Sequence, residues 1–324
     1  MKNIRIRPGG LEVENCGAVL IVRLDGGQQG VMGLAMADAL AALVGELETD
    51  SQVKAVVITG THPGRFIGHA DVRWLQEGGT TIPSLARGMT SAVAHSAAAV
   101  RRMPLVAPVA AYTPLGGAMQ LDKLHNTFMR MNRCGVVFIA ALNGSALGLG
   151  SELAQACDVR LMADGDFFIG QPEVLLGIPP GGGGTQRLTR LVGAHRALMM
   201  MLEGRPAPPA RALEIGLVDE VVAPGELIER ALALAGYLGA RPRGAIRAIK
   251  RAVYIGGSMA LEDGLHVERT EFMAALSGDS SQALMLEYMA RTGREGDLPL
   301  YDPAIFEHSL QNGHFPFPGN RTIT

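Results

Sequence analysis

Residues 139–158 read IAALNGSALGLGSELAQACD, and residues 168–193 read FIGQPEVLLGIPPGGGGTQRLTRLVG. The first stretch continues an apolar run that starts at Val136. It predicts a strand over 136–142, a turn at Asn143, Gly144 and Ser145, a short helix over 149–157 and a further strand over 159–162. The second predicts a helix over 185–191, entered from a run of glycines. Each stretch carries a glutamate shortly after a glycine. Glu152 falls in the first turn of its helix, where free N–H groups and the helix dipole favour a negative charge or a developing oxyanion; complementing the helix end is by itself sufficient reason for it. Glu173 adjoins the apolar residues Val174, Leu175 and Leu176. An ionised carboxylate there is costly unless solvated or paired, so a surface role and a functional one are both open.

The same grammar extends upstream. Residues 3–7, 11–14 and 17–24 alternate as half-buried strands do, Gly26 and Gly27 break the pattern, and 32–48 carries leucines spaced as on a packed helix. Residues 54–60 form a short β-branched run suited to a buried parallel strand, followed by a loop with Pro63 and Gly64 and a second helix near 71–77. Successive β-β-α units of this kind cannot each close a core, so they are expected to stack, although no strict repeat is visible. Residues 78–121, rich in Ala, Thr, Ser and Pro, interrupt the series as an insertion with a helix over 91–102. The expected organisation is a β-β-α core over 1–225 and a C-terminal region over 226–324. That region reads as helical to about Arg291 and ends in a tail, 295–324, with four prolines and little periodicity, which is expected to wrap over something, a neighbouring subunit being one option.

Composition narrows the function. The 324 residues are 48% hydrophobic, and 29 basic side chains against 31 acidic ones leave a net charge of −2. No excess positive field is available for a phosphate backbone or an anionic membrane, so neither nucleic acid nor membrane is expected as a partner. Cys16, Cys134 and Cys157 are odd in number, far apart and without metal-ligand spacing, which argues against a disulfide scaffold and a structural metal and fits the reducing cytoplasm. The first ten residues lack the apolar core of a signal peptide. The uncharged stretches 103–121 and 134–151 are broken by prolines or by glycines and polar residues, and neither reads as a membrane span.

Taken together, the GxGxE-L string ending in Glu152–Leu153 and the GQPEVxLGxxPGxGGTQRLxRLVG string around Glu173 resemble the crotonase, or enoyl-CoA hydratase/isomerase, superfamily; the match runs with gaps over about 19–253. The resemblance implies an α/β fold, a superhelix of β-β-α units closed by a C-terminal helical region, assembled as a homotrimer or homohexamer. It implies an acyl-CoA substrate, with CoA as part of the substrate and no separate cofactor or metal. In hydratases of this family two glutamates hold a water beside the substrate double bond, and by motif position they fall on Glu152 and Glu173. Two backbone N–H groups form the oxyanion hole, and they fall on Ala70, within the string Phe66-Ile67-Gly68-His69-Ala70-Asp71, and on Leu149. Gly68, His69, Asp71 and Gly148 flank those donors as candidate substrate-binding positions.

The chemistry asks for this set: adding water to a conjugated thioester needs a base for the water, an acid for the α-carbon and donors for the thioester oxygen. Within the superfamily an enoyl isomerase, relying chiefly on Glu173, and a CoA-independent C–C hydrolase are alternatives. A non-catalytic assembly protein is a third, against which the retention of both glutamates argues. Three features depart from the family pattern: His69 and Leu149 stand where glycine is usual, Gly68 stands where alanine is common, and Asp25-Gly26-Gly27-Gln28-Gln29 replaces a stretch with an asparagine, Arg-Pro and a second asparagine. A side chain at a position needing positive φ would strain the loop, and the change at 25–29 bears on CoA binding. The glycine run 181–184 lacks the Lys and Ser/Thr of a phosphate loop and is expected to shape a turn. Lys250 and Arg251 have two open readings of equal weight, contact with CoA phosphates or an exposed helix face.

Overall fold

The computed structural model describes residues 4–81, 86–103, 105–110, 112–113 and 115–316. Ten strands occur among them: β1 (Ile4–Arg7), β2 (Leu11–Cys16), β3 (Val19–Leu24), β4 (Ala55–Gly60), β5 (Arg65–Ile67), β6 (Val137–Leu142), β7 (Ser145–Leu147), β8 (Val159–Ala163), β9 (Ile169–Gly170) and β10 (Glu220–Val222). Seven form one sheet in the order β1-β2-β3-β4-β6-β8-β10, antiparallel at the β1-β2-β3 edge and parallel from β3 onward. The other three, β5, β7 and β9, form a small parallel sheet. Each long strand β4, β6 and β8 is therefore followed by a very short one in the second sheet, and then by helical chain: Val72–Thr81, Leu149–Ala156, and the pair Glu173–Leu176 (3-10) and Gly184–Val192 (α). This is the expected α/β superhelix of β-β-α turns.

The parallel strands are buried on both faces, which is why β4 and β6 read as continuous apolar runs rather than as alternation. Val56, Ile58, Phe138, Ala140 and Leu142 join one apolar cluster with Leu40, Leu43 and Leu47 of helix Leu34–Thr49. Ala55, Val57, Val137, Ile139 and Ala141 face the other way, onto Leu227, Ala231 and Ala235 of helix Leu227–Gly239. Period two thus survives in the packing although hydropathy alone hides it.

Several local expectations change. The insertion's helix begins earlier than expected and spans Arg87–Arg101; it packs on helix Leu115–Met131, whose Leu124, Phe128 and Met131 are part of the main core. Residues 82–85, 104, 111 and 114 of the insertion lie outside the described residues. The tail carries a helix, Pro303–Asn312: Asp302 caps it by accepting the N–H groups of Ala304 and Ile305, at 2.8 and 3.2 Å, and Pro303 occupies the first helical position, where its missing N–H costs nothing. That tail packs on its own chain, with Arg241 donating to the Leu310 carbonyl at 2.9 Å; residues 317–324 lie outside the described set. Lys250 is not on an exposed face. It is 7% exposed, and its Nζ donates to the Val136 carbonyl and to Asp158 Oδ2, both at 2.7 Å. A buried ammonium needs such partners, and here they tie helix Arg243–Tyr254 to the start of β6. Among the described residues no helix is long and apolar enough to cross a membrane.

Candidate active site

The small sheet builds the site. β5, β7 and β9 run parallel, so their C-terminal ends emerge side by side and deliver Gly68-His69-Ala70, Gly148-Leu149 and Gln171-Pro172-Glu173 to one place. Backbone bonds fix the three loops to one another: Leu147 N–H donates to Gly68 O at 3.1 Å and Gly148 N–H to Gly170 O at 2.9 Å. Above them opens a cavity of about 490 Å³, lined mainly by apolar side chains that include Trp74, Leu124, Leu175 and Ile178. Glu152, Glu173, Ala70 and Leu149 all border it, as do His69 and Gly148. The four residues expected to do the chemistry are thus gathered around one apolar space.

The backbone donors are oriented by their neighbours. Met32 N–H donates to His69 O at 2.9 Å and Asp71 N–H to Met32 O at 2.8 Å, clamping the Ala70 peptide from both sides. Leu149 opens its helix, so its N–H has no intrahelical partner. Among the described residues neither the Ala70 nor the Leu149 N–H meets a protein acceptor. The departures from glycine at His69 and Leu149 cause no strain, because among the described residues every positive φ belongs to a glycine. The position that does require glycine is Gly148, at φ 49°, where a Cβ would stand 3.2 Å from Glu173 Oε1. His69 turns its Nδ1 back onto the Ala70 carbonyl, 2.6 Å away, and its side chain is exposed at the cavity.

The two glutamates are held differently. Glu152 is 2% exposed, and its Oε1 accepts the N–H groups of Gly182 and Gly184, both at 2.7 Å. Burial raises its pKa, and the Gly184 and Gly182 bonds, with the more distant charges of His125 and Arg187, oppose the rise. The glycine run therefore does more than shape a turn: its amides hold the side-chain carboxyl of the protein's own Glu152. A Cβ at Gly182 would lie 2.5 Å from Glu152 Oε2. Glu173 begins a 3-10 turn and is only partly buried. Burial is the main cause that pushes it up to about 7; its own backbone N–H pulls the other way, and the nearby Glu152 adds to the rise. With the Gln171 amide oriented to satisfy its neighbours, its N–H groups reach Glu173 Oε1 at 2.8 Å and Oε2 at 3.1 Å while its oxygen accepts from Gln155 at 3.0 Å.

Gln171, 1% exposed, and the Gly182 and Gly184 amides were missed by the sequence reading, though four successive glycines exceed what one helix entry needs. Of the remaining candidates, Gly68 is buried in the β5 loop with its N–H on Gly30 O at 2.7 Å. Asp71 caps its own helix by accepting the Arg73 N–H at 2.9 Å, and this bond to Arg73 lowers its pKa. Neither borders the cavity of the glutamates; Asp71 and Arg73 border a second one, of about 360 Å³, together with residues 25–29.

Known proteins share this architecture. A family profile described as enoyl-CoA hydratase/isomerase matches residues 118–294, more than half of the chain. The short-chain-enoyl-CoA hydratase of Clostridium acetobutylicum is 32% identical over 254 residues, covering 78% of this chain and 84% of that protein. The fatty acid oxidation complex subunit alpha of Idiomarina loihiensis is 34% identical over 226 residues, 68% of this chain but only 27% of that longer subunit. Among solved structures, "Enoyl-CoA hydrates from Geobacillus Kaustophilus HTA426" superposes with a TM-score of 0.72 at 26% identity, covering 92% of this chain and 97% of that one. With the fold, the paired motifs and these likenesses in agreement, the chain belongs to the enoyl-CoA hydratase/isomerase family.

Proposed function

We propose that this protein is an enoyl-CoA hydratase, adding water across the 2,3 double bond of an enoyl-CoA thioester. The thioester oxygen accepts the Ala70 and Leu149 N–H groups. A water between the glutamates loses a proton to Glu152 as its oxygen bonds to C3, and the π electrons move onto the thioester oxygen as an enolate. Glu173, in its acid form, then protonates C2 as the carbonyl re-forms. Every step is a proton transfer or the stabilisation of an oxyanion by this chain's own groups, so CoA enters only as part of the substrate. The observation that carries this reading is that two glutamates and two residues whose N–H groups meet no protein acceptor among the described residues, Ala70 and Leu149, border the same apolar cavity. The cavity walls suit a hydrocarbon acyl chain, and the second cavity beside residues 25–29 suits part of the CoA moiety.

The relatives' names support the reaction type. The test is the ultraviolet absorbance of crotonyl-CoA, which falls when water removes the conjugation. The reading expects that fall with wild type, its loss in Glu152→Gln, and weaker binding of the same acyl group on N-acetylcysteamine in place of CoA. Full turnover of a 3-enoyl-CoA by Glu152→Gln favours the isomerase, turnover only of substrates lacking CoA favours the C–C hydrolase, and absence of any turnover favours an assembly role.

A homotrimer or homohexamer in the cytoplasm completes the proposal. Phe272, Met273, Leu286 and Met289, on helices Leu261–Leu276 and Asp279–Glu295, are each more than 60% exposed or close to it in the single chain, a large apolar surface for partner copies to cover.

A further inference from the structure

The Gly182 and Gly184 amides can orient Glu152 only if the loop that carries them is itself held. Its carbonyls show how. Arg187 Nη1 lies 3.4 Å from Gly182 O, and His125 Nε2 lies 2.6 Å from Gly181 O. A carbonyl only accepts, so Nε2 carries the proton in that bond. His125 belongs to helix Leu115–Met131, rooted in the core through Leu124 and Phe128, and five residues earlier on that helix Gln120 accepts the Trp74 Nε1–H at 2.8 Å. Trp74 sits on the helix that follows Ala70. One helix therefore bonds both to the wall beyond the Ala70 donor and to the loop holding Glu152.

We infer that His125 is a positioning residue for hydration: its Nε2–H fixes the Gly181 carbonyl, and through the Gly182 and Gly184 amides fixes the Glu152 carboxylate against the reacting water. His125 does not itself border the cavity, and its side chain is exposed, so its loss does not open the core. The burial-driven rise in Glu152's pKa is opposed in part by the charge of His125, in keeping with their closeness.

The inference rests on the role proposed for Glu152, and the experiment separates the two. Hydration of crotonyl-CoA and exchange of the α-protons of butyryl-CoA in D2O are measured for wild type, His125→Ala, His125→Gln and Glu152→Gln. Exchange at C2 uses Glu173 and the oxyanion donors but not the water-activating carboxylate. The expected result is that His125→Ala lowers kcat for hydration about 10-fold with KM within about 2-fold, and leaves α-proton exchange at the wild-type rate, since the loss of one hydrogen bond moves a rate by roughly that factor. His125→Gln, which restores an N–H donor, recovers most of the loss. Wild-type kcat in His125→Ala alongside a crippled Glu152→Gln overturns the positioning role while sparing the assignment of Glu152. Equal losses of hydration and exchange in His125→Ala overturn it as well, because they signal a general structural defect. Full hydration by Glu152→Gln removes the reading on which it stands.

Discussion

The two sides of the cavity make opposite use of their surroundings. On the Glu152 side everything is fixed: a helix, two amide donors, a braced loop and 2% exposure. On the Glu173 side the carboxylate stands at the start of a 3-10 turn, partly open, beside a side-chain amide, with burial and its like-charged neighbour pushing it up to about 7. Two carboxylates near one water cannot both ionise cheaply. Burial raises the pKa of both, and only on the Glu152 side do two backbone N–H donors oppose the rise. The mechanism proposed above uses that difference, with Glu152 as base and Glu173 as acid.

The comparison breaks most visibly if either carboxylate proves dispensable. Glu152→Gln and Glu173→Gln should each lower kcat for hydration by about 100- to 10,000-fold, read from the loss of crotonyl-CoA absorbance, while only Glu173→Gln should also abolish α-proton exchange. An exchange defect of equal size in both would erase the division of labour. Next in size is the backbone. Leu149→Pro removes the N–H proposed as one oxyanion donor, at a first helical position where proline is tolerated and the preceding Gly148 has no Cβ to clash. A loss of about 100- to 1,000-fold with unchanged circular dichroism is expected; near-normal turnover would mean that this N–H does not face the thioester.

The acid–base asymmetry is sharpened by pH. If Glu173 must be protonated to deliver its proton, kcat/KM for hydration should fall as pH rises through about 7, and Glu173→Gln should lack that limb in whatever activity remains. A flat profile from pH 6 to 8.5 would contradict the assignment.

The smallest effect is on stability. Glu173's pKa is raised above its unfolded value, so between about 4.5 and 7 the folded state holds the extra proton and stability falls with rising pH. Above that window the full penalty remains, of order 1–2 kcal/mol once solvent screening at this partly open site is allowed for. Glu173→Gln should therefore raise Tm by a few degrees at pH 8 and hardly at all at pH 4. The opposite ordering of the two pH values would show that the carboxylate is stabilised, not strained, by its site.

The sequence made the frame legible because long strands and helices leave a period, and the paired glutamates were legible because each sits in a specific motif. The strands that build the site were not. β5, β7 and β9 have three, three and two residues, too few for any alternation to register, yet their ends carry the Ala70, Leu149 and Glu173 loops. Backbone conformation was equally hidden: His69 and Leu149 raised a question of strain, whereas the left-handed position is their neighbour Gly148. Lys250 reads as one cation among many until Val136 O and Asp158 close over it. The tail helix at Pro303 was masked by a proline that starts a helix as readily as it ends one.

The most direct measurement is the product formed from crotonyl-CoA in D2O enriched in oxygen-18, analysed by mass spectrometry and NMR. Hydration by the two glutamates predicts a 3-hydroxyacyl-CoA carrying one oxygen-18 at C3 and one deuterium at C2, with the thioester intact. A product with oxygen-18 in a free carboxylate, or one with a shifted double bond and no new oxygen, would contradict it.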